Sequence, residues 1–76
     1  MEHKITDMIK KLHPDVVLTD EVRLVDDGVL ASMDIVSLVT EIGVELGIRV
    51  PAFEILPDNF NSVKALAAML ERLDDV

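Results

Sequence analysis

The sequence predicts an all-α bundle of three main helices plus one short helix, with a long loop between the first and second helices. Apolar residues recur at helical spacing over 5–12, 35–46 and 63–73. Pro14, Gly47, Pro51 and Pro57 punctuate the intervals between those stretches. Half of the 76 residues are hydrophobic, enough for a packed core, in a chain long enough for one domain over residues 1–76. A domain of this size buries only roughly 60% of the surface its unfolded chain exposes, so modest stability is expected.

The first helix is expected from Glu2 to His13, with Ile5, Met8, Ile9 and Leu12 on one stripe and Pro14 as the stop. Lys10, Lys11 and His13 fall in its last turn, where positive charge suits the negative end of the helix dipole. Residues 14–31 carry turn signals at Pro14-Asp15, Thr19-Asp20-Glu21 and Asp26-Asp27-Gly28. Val16, Val17, Leu18, Val22, Leu24, Val29 and Leu30 are too many apolar groups to leave in water. The segment is therefore expected to lie along the bundle, pinned by those side chains, with a short helical turn near 20–23.

The second helix, Ser32 to Leu46, shows a core face of Ile35, Leu38, Val39, Ile42 and Leu46. Ser32 occupies the expected N-cap and Asp34 the first turn; Gly47 ends the helix as a left-handed cap before the extended Ile48-Arg49-Val50-Pro51. Gly43, inside the helix, costs about 1 kcal/mol against alanine, unless something packs closely on it. Phe53, Ile55, Leu56 and Phe60 follow, with Pro57 placed to begin a short helical turn through Phe60. Asn61 or Ser62 then caps a last helix striped by Val63, Leu66, Ala67, Leu70 and Leu73, and the tail Asp74-Asp75-Val76 is expected to fray.

Composition narrows the function classes. A net charge of −8 with no Trp or Tyr opposes nucleic-acid binding, which needs cations for the phosphates and aromatic faces for the bases. The same field favours rapid encounter with partners bearing basic patches, an encounter that salt should slow, although ordinary acidic domains share the trait. Without cysteine there is no disulfide and no thiol-based metal or redox site. No apolar run approaches the roughly 20 residues of a membrane span, and Met1-Glu2-His3-Lys4 opens no signal peptide. A soluble, cytoplasmic monomer, not an integral membrane protein, is the expectation.

Candidate chemistry is sparse. His3 and His13 lack the spacing of metal ligands and read as solvent-facing residues; no metal is expected. Asp26-Asp27-Gly28 lacks the alternating acids of a calcium loop, and the three glycines form no phosphate-binding loop. Ser32 lies in Leu30-Ala31-Ser32-Met33-Asp34, without the flanking glycines of a nucleophile elbow or any histidine after it, so an enzyme is not expected. What remains is a serine placed by geometry at a helix start, where free N–H groups and the dipole favour a phosphodiester. Taken alone, it reads as an ordinary N-cap.

The wider context decides between those readings. The stretch Leu24-Val25-Asp26-Asp27-Gly28-Val29-Leu30-Ala31-Ser32-Met33-Asp34-Ile35-Val36 resembles the modification site of acyl and peptidyl carrier proteins. The likeness continues through Leu38-Val39, Leu46-Gly47-Ile48, Val50-Pro51 and Asn61-Ser62-Val63, and covers nearly the whole chain. It implies an acyl-carrier-like bundle and a phosphopantetheinyl transferase that attaches 4′-phosphopantetheine to Ser32. It also implies acyl or aminoacyl cargo held as a thioester, delivered by a ligase or acyl-transferring enzymes. By position, Met33 packs near the arm, and Val36, Thr40, Glu41 and Glu45 fall on the second-helix surface that such carriers present to partners. Val36 could instead widen the core stripe. Ala31 departs from the Asp, or often His, that precedes the serine in the family, and this bears on how the transferase recognises the chain. A long Pro51–Asn61 segment and a less densely acidic second helix lean toward D-alanyl or aminoacyl carriers rather than fatty-acid carriers. The alternative is a helical protein–protein interaction module in which Ser32 is only a cap.

Overall fold

The protein is described by a computed structural model covering residues 1–74. Four α-helices follow one another: α1 (Glu2–Leu12), α2 (Ser32–Leu46), the short α3 (Pro57–Phe60) and α4 (Val63–Asp74); a single 3₁₀ turn at Ala52–Glu54 precedes α3. Helix α1 packs against both α4 and α2, and α3 packs on α4. The described residues contain no strand. The sequence expected fraying at the tail; Asp74 is the last residue of α4, and Asp75 and Val76 lie outside the described residues.

Each long helix buries the stripe its spacing marks. Ile5, Met8 and Ile9 of α1 meet Leu38 and Ile42 of α2 and Leu66, Ala67, Met69 and Leu70 of α4 in one cluster, with Phe60 at its centre and fully buried. Each such side chain contributes about 1.5–3 kcal/mol by leaving water. Leu12, Ile35, Val39, Leu46, Val63 and Leu73 pack partly against that cluster. Phe53, by contrast, is exposed.

Residues 14–31 are pinned as expected by Leu24 and Leu30, both buried, with Val16, Leu18, Val22, Val25 and Val29 partly covered. Val17 is the exception and faces water, because side chains alternate sides along an extended chain and its neighbours Val16 and Leu18 take the inward side. The helical turn expected near 20–23 is only a single hydrogen-bonded turn, Val22 N–H to Thr19 O at 3.3 Å. A helix-like turn falls slightly later: Asp27 N–H donates to Arg23 O at 2.7 Å, and Gly28 exits it with φ 78°.

Asn61 and Ser62 both act, but at different tasks. Ser62 Oγ accepts the Ala65 N–H at 2.9 Å and so caps α4. Asn61 instead clamps the long loop: its Oδ1 accepts the N–H groups of Val25 (2.9 Å) and Asp26 (3.0 Å), and its main-chain oxygen accepts that of Leu24 (2.7 Å). Glu54 ties the opposite end, where Arg72 donates to both of its carboxylate oxygens, at 2.7 and 3.3 Å. Gly47 ends α2 with φ 68°, the left-handed cap its position predicts.

Candidate functional site

The junction between loop and α2 is built around one serine. Leu30 is buried and anchors the approach; Ala31 is extended, with φ −83° and ψ 173°; Ser32 is the first helical residue and is exposed. The cap expected at Ser32 is thus one residue earlier, at Ala31. The reason lies at Asp34, whose Oδ2 accepts the Ala31 N–H at 2.9 Å. An alanine has no side-chain acceptor to return that bond, so only the half of a capping box that the Asp34 carboxylate supplies is made. Ser32, as the first helical residue, stands one position past the one from which a side-chain oxygen caps the helix. The N–H groups of Ser32, Met33 and Asp34 have no partner within the helix, as in any first turn.

His13 also reaches this place. The sequence read it as solvent-facing, but its φ of −136° turns it out of α1 and across to α2, where Nε2 lies 2.9 Å from Asp34 Oδ2. An ionised carboxylate only accepts, so Nε2 carries the proton. The Ala31 N–H first, and the His13 bond second, hold the Asp34 carboxyl below its ordinary range.

The other residues named from the sequence divide into two faces. Met33 (73% exposed), Val36 (57%) and Thr40 lie on the solvent side of α2, which settles against Val36 as a core residue. Val44, 77% exposed and two turns beyond Val36, prolongs this apolar stripe; its spacing from Met33 and Val36 is the signal that marks it in retrospect. Thr40 Oγ1 turns back to donate to Val36 O at 3.0 Å, which leaves the stripe less polar than its composition. Glu41 and Glu45 do not share that face. They turn toward α1, where Lys11 Nζ lies 3.8 Å from Glu41 Oε1 and 2.9 Å from Glu45 Oε1. The hydrogen bond with Glu45, followed by the attraction of its charge, raises the Lys11 pKa, and the same bond lowers that of Glu45.

No cluster of metal-binding side chains occurs among the described residues. A broad groove among the described residues lies between α1, residues 16–24 and the start of α4, lined by Thr6, Lys10, Leu18 and Val63 among others. None of the described cavities is lined by Ser32. No helix among the described residues is long and apolar enough to cross a membrane.

No protein-family model matches the chain. Two curated proteins of Bradyrhizobium diazoefficiens are similar to it. Aminoacyl carrier protein 2 is 48% identical over 50 residues, 66% of this chain and 55% of the relative. Aminoacyl carrier protein 1 is 42% identical over 53 residues, 70% of this chain and 58% of the relative. The matches thus span little more than half the length of these relatives. Among solved structures, the chain superposes with a TM-score of 0.75 and 34% identity on the crystal structure of Bradyrhizobium japonicum glycine:[carrier protein] ligase complexed with glycylated carrier protein. It covers 90% of this chain and 95% of the matched one, so the matched chain is the small carrier. A second crystal structure, of the ligase with its cognate carrier protein and an analogue of glycyl adenylate, gives 0.75 at 31% identity, covering 93% and 95%.

Proposed function

Because this chain belongs to the carrier-protein family, we propose that it carries aminoacyl groups on a 4′-phosphopantetheine arm joined to Ser32, and that residues 1–76 form a single carrier domain. One observation carries the reading: Ser32 is exposed at the first turn of α2, on the first helical residue rather than at the cap, which is Ala31. When bound, the arm supplies the thiol that holds an aminoacyl group as a thioester. The chain's own residues present the attachment oxygen and leave the unpaired N–H groups of the first turn to favour the phosphodiester. They catalyse nothing themselves.

The named relatives and the glycylated neighbour support aminoacyl cargo over longer acyl chains. The partners are a phosphopantetheinyl transferase and an amino acid:carrier protein ligase. Met33, Val36, Thr40 and Val44 form the face such enzymes meet around Ser32, whereas Glu41 and Glu45 lie at its edge, turned toward Lys11. Incubation with coenzyme A and a broad-specificity transferase, read by intact mass, tests the assignment. One added arm in the native chain and none in Ser32→Ala is expected. No added mass with several transferases would favour the interaction module instead.

A further inference from the structure

His13 lies beyond the apolar stripe of α1, yet it is half-buried, and it points at a residue 21 positions away in sequence. Its main-chain N–H donates to Ile9 O at 2.9 Å, which fixes the end of α1 beneath it. Asp34 Oδ2 accepts both His13 Nε2–H and the Ala31 N–H, each at 2.9 Å. His13 and Ala31 are the two ends of the connection 13–31 between α1 and α2, so a single carboxylate oxygen closes it two residues after Ser32. We propose that His13 is a positioning residue for arm attachment, acting through Asp34 to hold the first turn of α2 and so present Ser32 Oγ to the transferase. The proposal rests on reading Ser32 as the attachment residue.

An aspartate at the third position of a helix is free to swing its carboxylate into solvent, and holding one rotamer costs side-chain entropy. A second hydrogen bond to the same oxygen, from a residue anchored on a different helix, offsets that cost. Ala31 is then kept extended and Ser32 helical, and the hydroxyl stands in one sector of space. The arrangement also manages charge. A carboxylate in the first turn repels an incoming phosphate, and directing its oxygen into bonds with Ala31 and His13 weakens that repulsion where the N–H groups of Ser32 and Met33 face out.

The test uses the full chain without its arm, coenzyme A and a phosphopantetheinyl transferase, with kcat and KM measured for native protein, His13→Leu and His13→Gln. Leucine fills the half-buried space without a donor, whereas glutamine restores an N–H. His13→Leu is expected to lose roughly fivefold in kcat with little change in KM, the equivalent of one partly exposed hydrogen bond. Faster exchange of the Ala31 amide should accompany that loss. His13→Gln is expected to recover most of the rate and the protection, with circular dichroism unchanged in all three. A His13→Leu protein modified at the native rate, or equal loss in both variants, overturns the proposal. Failure of the native chain to accept any arm overturns the reading of Ser32 instead.

Discussion

Substituting Asn61 by alanine should loosen the loop that leads to Ser32. The side-chain oxygen of Asn61 accepts two main-chain N–H groups, from Val25 at 2.9 Å and Asp26 at 3.0 Å. Asp26 is exposed, so water replaces its lost partner and the net cost is about 0.5–1 kcal/mol. Val25 is half-buried beside fully buried Leu24, and stranding its N–H costs about 1–2 kcal/mol. Together the loss is about 2 kcal/mol, a large share of the stability of so small a domain. For a chain of this length it corresponds to a fall of about 10 °C in Tm. Urea denaturation measures it directly, as a lower midpoint at unchanged slope. Asn61→Asp, which keeps the acceptor, should lose less despite its new charge near Asp26 and Asp27. The reasoning is refuted if Asn61→Ala unfolds within about 0.5 kcal/mol of the native chain.

Other expectations are as direct. Gly43 has nothing nearer to a built Cβ than Ile48 O at 4.0 Å, so Gly43→Ala should stabilise by about 0.5–1 kcal/mol; Gly47→Ala, at φ 68°, should destabilise by about 1 kcal/mol, both read by thermal denaturation. Asp34 has a lowered pKa, so the stability it lends is present above its unfolded value near 3.8 and is lost as pH falls through the lower folded value. The gap in Tm between native protein and Asp34→Asn should therefore shrink between about pH 5 and pH 2, and a constant gap would contradict this. Val36→Asp, on the exposed stripe of α2, should raise the KM of an amino acid:carrier protein ligase about tenfold while leaving Tm unchanged. An unaltered KM would remove Val36 from the docking face.

The two faces of α2 alter what the charge of −8 is expected to do. Only Glu41 and Glu45 of the helix's acids had been assigned to the partner surface, and both are drawn toward Lys11. The stripe that begins beside Ser32 is apolar instead. The net field still acts at a distance, but on the proposed reading close docking there would rest on shape and apolar burial.

Periodicity alone marked α1, α2 and α4, because a helix in a small bundle must bury one stripe and the spacing of Leu, Ile and Met records which one. Gly47, Pro57 and Ser62 are legible for a similar reason, since the conformations they impose depend on the residue itself and its immediate neighbours. The likeness around Ser32 was legible as a pattern over the whole chain. What lay beyond the sequence was every feature joining residues far apart along it. Asn61 reads locally as a helix cap, and only the fold carries it to Val25 and Asp26. Glu41 and Glu45 read as a free acidic face until α1 brings Lys11 beside them. Ser32 reads as a cap until the extended Ala31 takes that position, with Asp34 bonded to its N–H and to His13 from the end of another helix. Local rules set which elements form, because they act through bonds a few residues apart; tertiary packing chose which polar groups were spent within the fold and which were left exposed.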